Sequence, residues 1–180
     1  RGCNSLGFSI VGMGKNGADP HHDADETVLK EGDSIVIDIG APFNHYWCDM
    51  TRTVFYKSVS EKQREVYETV RHANEAAIAK IKPGVAFKEF DLAARKVIED
   101  AGYGEYFTHR TGHSIGMKEH EKPPVASDCE VIARPGMVFS IEPGIYLPGQ
   151  FGVRVEDLVL VTEDGCEVLN KYTKDLIAVE

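Results

Sequence analysis

Two aspartates face each other in a predicted β-hairpin, and this pairing indicates a cation site. Two runs rich in strand-favouring residues flank a break that contains Pro42 and Asn44, which predicts a hairpin over residues 35–55. With the turn centred immediately before Asn44, Asp38 lies directly opposite Asp49. Carboxylates in that position, with Cβ atoms roughly 5 Å apart, repel each other and destabilise the hairpin. We therefore expect a compensating positive charge, and a metal ion supplies it compactly.

A second predicted hairpin repeats this arrangement with glutamates. Strand patterns at residues 137–146 and 153–162 flank a Pro-Gly-Gln turn, and pairing Glu142 with Glu156 centres the hairpin on Gly149. Both acids have apolar strand neighbours, which places them near a core rather than in solvent. A lone acid in a strand is usually a solvent-facing residue. Two opposed pairs in one small domain instead indicate a functional site.

Histidines cluster in two parts of the sequence and could complete a metal or substrate site. His109, His113 and His120 lie close together in a chain that has 7 histidines. A surface loop with incidental histidines explains this cluster equally well. His21 and His22 are adjacent in a polar loop, where histidines are usually solvated, so this pair alone is weak evidence.

Four carboxylates with one or more histidines form a ligand set for two divalent ions. Their hard oxygen donors favour Mn²⁺, and Fe²⁺, Co²⁺ or Zn²⁺ also accept such ligands. Two metals about 3.5–4 Å apart can hold a bridging hydroxide at neutral pH and polarise a carbonyl or phosphoryl group. This chemistry favours hydrolysis, with the remaining histidines stabilising an oxyanion or protonating a leaving group. Composition and spacing do not decide which bond is cut.

The composition is that of one acidic domain. With 180 residues, 42% of them hydrophobic, the chain can bury one sizeable core and does not require two domains. Its formal charge of -9 argues against nucleic acid or an anionic membrane as a partner. The 4 cysteines form no C-x-x-C pair, which favours free thiols in a reducing cytosol. No apolar run approaches the roughly 18 residues of a membrane span, and we expect a cytoplasmic protein.

Regular elements are also predicted around the two hairpins. A capping box of Ser60 and Gln63 begins one helical pattern, and a second amphipathic pattern runs from about Ala86 to Gly102. We interpret both apolar stripes as core contacts without chemistry. A strand is predicted at residues 6–11.

Five motifs, in this order, resemble the catalytic domain of the pita-bread metallopeptidases, a family that includes Xaa-Pro aminopeptidase, prolidase and methionine aminopeptidase. The motifs are Asp-Ile-Gly at residues 38–40, Asp-Met-Thr-Arg-Thr at 49–53, Gly-His-Ser-Ile-Gly at 112–116, Ile-Glu-Pro-Gly-Ile-Tyr at 141–146 and Arg-Val-Glu-Asp at 154–157. The resemblance covers essentially the whole chain, and its five-ligand combination is highly specific. It implies an α+β pita-bread fold, with a pseudo-two-fold, curved antiparallel sheet covered by helices on its outer face.

The resemblance implies a set of metal ligands drawn from both hairpins and from the histidine-rich stretch. The ligands of the two ions would be Asp38, Asp49, His113, Glu142 and Glu156. Asp49 and Glu156 would bridge both ions. Glu142 would also be the base that moves the proton of the attacking water.

The same resemblance implies roles for four further residues. His21 would contact the scissile peptide nitrogen, and His120 would contact its carbonyl oxygen. His109 would support the substrate. Arg154 would orient the metal-bound acids without contacting the metal itself.

The motifs resemble one branch of the family in particular. Asp-Met-Thr-Arg-Thr, Glu-Pro-Gly-Ile-Tyr and the short gap between Glu142 and Glu156 are similar to aminopeptidase P and prolidase rather than to methionine aminopeptidase. This implies cleavage of the bond preceding proline at a free N-terminus, in a peptide with proline second. Two alternatives stay open: a non-catalytic peptide-binding module of the same fold, and a metal-dependent hydrolase of a small non-peptide amide. Family members that only bind peptides typically lose ligands, whereas this chain keeps all five.

One departure from the family pattern concerns the first half of the chain. Two helices precede the histidine motif in the second half, whereas the first half begins with a bare strand, although the family domain resembles a repeat of two αβ halves. We therefore expect residues 1–180 to be a single catalytic domain that lacks its N-terminal part and the separate N-terminal domain of this branch. Substrate selection and the homodimer expected for the full-length protein would depend on those parts. Apolar surface would be exposed where the absent helices pack.

Overall fold

A computed structural model describes residues 3, 5 and 7–180 of the chain. Within these residues, eleven β-strands and two α-helices form an α+β arrangement, and short 3₁₀ turns cover Gly14–Ala18 and Gly104–Tyr106. The strands and helices are β1 (Phe8–Met13), β2 (Ser34–Phe43), β3 (Tyr46–Tyr56), α1 (Glu61–Ile78), α2 (Phe87–Asp100), β4 (Gly112–Ser114), β5 (Glu121–Val125), β6 (Val138–Ile141), β7 (Gly144–Leu147), β8 (Phe151–Arg154), β9 (Asp157–Val161), β10 (Cys166–Val168) and β11 (Ala178–Val179).

The described strands form three sheets. The first sheet has the order β1-β2-β3-β11, and its neighbours are antiparallel except for the parallel pair β3 and β11. The second sheet has the order β10-β9-β6-β4-β5 and is antiparallel. Strands β7 and β8 form a separate antiparallel hairpin. The fold therefore presents two acid-bearing hairpins, β2–β3 in the first sheet and β6 to β9 in the second half of the chain.

The main hydrophobic core lies between the two helices and the second half of the chain. Phe87 and Phe90 of α2 pack against Phe139 of β6, with ring centroids 4.6 Å and 5.7 Å away. Among the described residues, the first sheet contributes only Phe55 to this cluster. The helix stripes are core contacts, as predicted. Helix α2 nevertheless also buries an aspartate, Asp91.

Several local predictions are confirmed. Ser60 and Gln63 form the capping box that begins α1. The strand predicted at residues 6–11 is represented by β1, which begins at Phe8, and residue 6 lies outside the described part of the chain. All four cysteines belong to the described residues, and each carries a free thiol. In residues 7–180, no helix combines the length and the hydropathy needed to cross a membrane.

The predicted register of the first hairpin is wrong. Asp38 pairs with Thr51 rather than with Asp49, because the turn consists of Asn44 and His45, one residue later than expected. Both turn residues have positive φ angles, 47° and 70°, as in a two-residue type I′ turn. The two aspartates are therefore diagonal neighbours on one face of the hairpin. Such pairs are about 7–8 Å apart rather than directly opposed.

The predicted register of the second hairpin is confirmed, but its strands are interrupted. The ladders β6–β9 and β7–β8 share one register, centred on Gly149 as expected. Pro143, which has no amide hydrogen, lies in the gap between the two ladders. Glu142 and Glu156 lie in the same gap, so each predicted long strand is divided in two at its acid. The glutamates are opposite each other in register but outside the regular hydrogen-bonded ladders.

Candidate metal centre

One cavity of about 530 Å³ brings together all the side chains that the sequence singled out as site residues. It lies where the two acid-bearing hairpins meet the loop that precedes β4. The predicted site residues on its wall are His21, Asp38, Asp49, His109, His113, His120, Glu142, Arg154 and Glu156. Residues on the wall that were not predicted are Phe8, Ile10, Pro20, Arg110 and Glu119.

Asp49, His113 and Glu156 form a compact, buried group that could hold a metal ion. One ligand atom from each residue lies within 4.8 Å of the others. His113 Nδ1 donates to the carbonyl oxygen of Ser114 at 3.1 Å, which leaves the lone pair of Nε2 facing the acids. Nε2 lies 3.8 Å from Asp49 Oδ2 and 3.5 Å from Glu142 Oε1. The imidazole therefore has the tautomer that metal ligation requires.

Asp38 and Glu142 lie beside this group, and a side-chain donor fixes each of them. Asp38 Oδ2 accepts a hydrogen bond from Arg154 at 2.7 Å, and Glu142 Oε1 accepts one from Ser140 Oγ at 3.0 Å. Asp38 Oδ1 and Asp49 Oδ1 are buried without a hydrogen-bond partner among the described residues. A buried polar atom without a partner is costly, and a divalent cation would satisfy both oxygens. The residues present therefore fit a divalent metal site.

Burial shifts the pKa values of the acids and the histidine in opposite directions. It raises the pKa of Asp49 to about 8 and that of Glu142 to about 7. It also raises the pKa of Glu156 well above its usual range. Burial, together with the neighbouring His120, lowers the pKa of His113 to about 4. These shifts express the cost of burying like charges together, and a divalent cation would reverse them for the acids.

Arg154 of β8 joins the two hairpins at the centre of the site. Its buried guanidinium pairs with Asp38 and also donates from Nε to Thr51 Oγ1 at 3.1 Å. A further donor reaches the carbonyl oxygen of Pro20 at 3.2 Å. One side chain therefore fixes an acid of the first hairpin and the loop that carries His21.

The other three cavity histidines differ in burial and in their partners. Both ring nitrogens of His109 have protein partners, because Nδ1 contacts the next backbone carbonyl at 2.7 Å and Nε2 contacts the Tyr146 hydroxyl at 2.8 Å. Burial lowers the pKa of His109 to about 4. The ring centroids of His120 and His113 are 3.9 Å apart, and the side chain of His120 is 54% exposed. His21 is also exposed. His21 and His120 are therefore the more open of the three to a bound molecule.

Helix α2 positions the loop that carries His109. The buried carboxylate of Asp91 accepts hydrogen bonds from the amide and the hydroxyl of Thr111 at 3.0 Å and 2.7 Å. Arg95 pairs with Asp91 and donates to the carbonyl oxygen of His109 at 3.0 Å. The carbonyl oxygen of Thr111 in turn accepts from the amide of Glu142 at 2.8 Å. The interpretation of α2 as a core element alone was therefore incomplete, because it also supports the site.

Comparison with known proteins identifies the family. The profile of metallopeptidase family M24 matches residues 1–163. The chain belongs to this family. It is 45% identical over 169 residues to the Xaa-Pro dipeptidase of Pyrococcus furiosus, and the match covers 94% of this chain and 49% of that protein.

Solved structures have the same fold as this M24 chain. The crystal structure of dipeptidase PepE from Mycobacterium ulcerans has a TM-score of 0.97 and 44% sequence identity, and the match covers 99% of this chain and 48% of that one. For X-Pro aminopeptidase from Thermotoga maritima the TM-score is 0.95 at 40% identity, with 99% and 51% covered. The predicted α+β pita-bread fold is confirmed. The chain spans about half the length of the curated relatives it matches.

Some residues that position the acids of this M24 chain were not predicted from the sequence. Thr51 donates from Oγ1 to Glu156 Oε2 at 2.7 Å. The alternation of Asp49, Thr51 and Thr53, all buried, is a period-two signal that could have identified Thr51 as facing the site. Tyr146, which contacts both Arg154 and a histidine, has no comparable local signal. Its role depends on contacts between distant parts of the chain.

Proposed function

We propose that the chain is a single catalytic domain that uses two divalent metal ions to hydrolyse the peptide bond preceding proline at a free N-terminus. The observation that carries this proposal is the convergence of four acids and a buried histidine of suitable tautomer on one cavity. The proposed ligands are Asp38, Asp49, His113, Glu142 and Glu156. Asp49 and Glu156 would hold metal together with His113, with which they form a compact group.

The residues of the cavity have complementary roles in this proposal. Two bound ions would supply Lewis acidity that activates water and polarises a carbonyl group. Glu142, whose Oε1 is held by Ser140, would accept a proton from the attacking water and return it to the departing amide nitrogen. Arg154 would keep Asp38 oriented through their 2.7 Å ion pair.

The histidines outside the ligand set would contact the substrate. His21 and His120 are exposed on the cavity wall, and we assign them to the scissile peptide nitrogen and its carbonyl oxygen. His109 also lines the cavity, hydrogen-bonded to Tyr146, and would support the substrate from there.

We propose Mn²⁺ as the ion because four of the five ligands are carboxylates, whose hard oxygens suit it; Co²⁺, Zn²⁺ and Fe²⁺ are the alternatives. Elemental analysis of the purified protein tests both the identity of the ion and the number bound. Two ions per chain are expected. One ion or none after reconstitution would contradict the dinuclear proposal. The homodimer and the cytoplasmic location stay predictions from the sequence.

The activity is tested by titrating Mn²⁺ into the protein with Gly-Pro and with a tripeptide that has proline second. We expect metal-stimulated release of the first residue, and none from Asp49→Asn. Cleavage of the dipeptide alone would identify a prolidase, whereas cleavage of the tripeptide would identify an aminopeptidase P. Metal-stimulated cleavage of neither peptide would contradict the proposal. Peptide binding without cleavage would instead support a binding module, and cleavage of a small non-peptide amide alone would support the other alternative.

A further inference from the structure

An irregular stretch near the end of the chain, residues 170–175, contacts the back of the metal centre. This 170–175 segment follows β10, has no helix or strand, and lies beyond the residues that the family profile matches. Its side chains are mostly exposed, yet several of its polar groups point inward to the two hairpins that carry Asp49 and Glu156.

Asn170 connects the two acid-bearing hairpins with one side chain. Its Nδ2 donates to the carbonyl oxygen of Asp49 at 3.0 Å. Its Oδ1 accepts from the amide of Leu158 at 2.6 Å, two residues after Glu156. The position of the Asp49 backbone is therefore coupled to the beginning of β9.

Arg52 makes a second connection, and all five of its N–H donors are used. Two reach the carbonyl oxygens of Tyr172 and Thr173, both at 2.9 Å. Two more reach carbonyl oxygens beside the site, those of Thr51 and Glu156. The fifth pairs with Asp157 Oδ1 at 2.7 Å. A planar guanidinium with every donor occupied fixes the relative positions of all three chain segments.

Lys174 completes the connection from the other side of Asp157. Its Nζ lies 3.0 Å from Asp157 Oδ2 and 2.8 Å from Asn74 Oδ1 of α1. The side chain of Asp157 is 1% exposed and that of Arg52 is 6% exposed, so these charges are buried and mutually dependent. The network therefore extends from α1 through the 170–175 segment to the residue that follows Glu156.

We propose that the 170–175 segment is a positioning element that sets the separation of Asp49 and Glu156. This inference rests on the proposed function, in which these two acids would be metal ligands. The two residues come from different hairpins, and among residues 7–180 a single backbone–backbone hydrogen bond, from Glu156 N to Thr51 O, joins the hairpins at this level. Asn170, Arg52 and Lys174 supply the additional constraints. A metal centre tolerates little error in ligand placement. Removing one of these hydrogen-bonded constraints therefore weakens metal binding even when the chain stays folded.

The test compares Asn170→Ala and Arg52→Lys with the unaltered protein by calorimetric titration of Mn²⁺. Arg52→Lys retains the charge opposite Asp157 but loses the planar fork. We expect each variant to bind Mn²⁺ about 10-fold more weakly, the size of effect typical of groups that orient metal ligands. Excess Mn²⁺ should restore kcat in both variants. Weaker binding and restoration together distinguish a positioning role from a general loss of structure.

Two controls distinguish an effect on the position of the metal ligands from an effect on the stability of the fold. Lys171→Ala alters an exposed lysine of the same segment that contacts β10, and it should bind Mn²⁺ like the unaltered protein. Ile98→Val thins the core beneath α2 and should lower the melting temperature without changing Mn²⁺ affinity. If Asn170→Ala binds Mn²⁺ as tightly as Lys171→Ala does, the inference is overturned. Should Arg52→Lys fail to fold, Asn170→Ala decides alone.

Hydrogen–deuterium exchange without added metal provides a readout that does not depend on the proposed function. In both variants we expect faster exchange in peptides covering residues 49–53 and 155–158, with α1 unchanged. If the unaltered protein binds no metal, the proposed function fails, and this exchange pattern still decides whether the 170–175 segment couples the two hairpins. Unchanged exchange in both peptides would overturn the coupling even if the metal binds.

Discussion

The two acid-bearing hairpins each supply two carboxylates to one cavity, but they are built differently. The first, β2–β3, is a continuous ladder closed by a tight turn. No α-helix precedes it among the described residues, and Ile39, Phe43 and Tyr46 are 44%, 51% and 63% exposed. In the second, β7 and β8 are fully buried, and the helices pack against this half of the chain.

This difference shows two ways of placing a carboxylate. Asp38 and Asp49 project from regular strands, so strand alternation and register determine where they lie. Glu142 and Glu156 lie where the ladder is interrupted. Their amides therefore bond outside their own hairpin, to the carbonyl oxygens of Thr111 at 2.8 Å and Thr51 at 3.1 Å. The ladder of its own hairpin determines the face on which the first pair lies, whereas tertiary hydrogen bonds hold the backbone amides of the second pair.

The largest expected effect comes from removing one acid of the compact group from either hairpin. Asp49→Asn and Glu156→Gln keep the side-chain volume but remove a charged ligand, so both variants should lose Mn²⁺ binding. The value of kcat/KM should fall by on the order of 10³-fold, which is more than is expected when a residue that only orients a ligand is removed. Calorimetry and peptide hydrolysis measure these losses. Glu163→Gln, an exposed acid, is the control. Near-normal activity in Glu156→Gln would remove Glu156 from the ligand set.

A glycine-to-alanine substitution in contact with each hairpin should show which of the two hairpins is the more rigid. A Cβ at Gly112 would lie 2.0 Å from the backbone oxygen of Ser140. A Cβ at Gly40 would lie 2.3 Å from the ring of Phe8, which can rotate, and 2.9 Å from the backbone oxygen of Cys48, a milder backbone clash. We expect Gly112→Ala to lower the free energy of unfolding by about 3 kcal/mol and Gly40→Ala by about 1 kcal/mol. Urea unfolding measures both. Equal losses would contradict the view that the second hairpin is the more constrained.

Arg154→Lys tests the side chain that bridges the two hairpins. A lysine can pair with Asp38, but it cannot also donate to Thr51 and Tyr146, because it lacks the planar fork. Activity should fall by about 10–100-fold, as is usual for groups that orient metal ligands. Arg71→Lys, at a half-buried position of α1 that does not line the cavity, is the matched control and should not change activity. Similar kcat/KM values for the two variants would contradict a bridging role.

The smallest expected effects concern the two turns, and they have opposite signs. His45 has a positive φ of 70°, so His45→Gly should raise the free energy of unfolding by about 1 kcal/mol. Gly149 has a φ of +71° with no neighbour near a Cβ, so Gly149→Ala should lower it by about 1 kcal/mol through backbone strain alone. Urea unfolding compares them. A loss in His45→Gly would contradict the type I′ turn.

The sequence predicted the second hairpin better than the first because of the turns. Gly149 marks its turn clearly, and the register centred there is correct. In the first hairpin, Pro42 and Asn44 suggested a turn one residue too early. Non-glycine residues rarely adopt the left-handed conformation, so nothing in the local sequence required His45 to do so. The error moved Asp49 from a direct to a diagonal neighbour of Asp38 without changing the face on which it lies.

Local sequence determined which residue types could do chemistry and which hairpin carries each of the four acids. Strand periodicity, the capping box at Ser60 and the turn at Gly149 are short-range effects, so they can be read without the fold. Tertiary structure decided what holds these residues in place. The buried Asp91, the bridging Arg154 and the 170–175 segment act across many intervening residues. Buried charges need partners, and only the packed chain shows which distant groups provide them.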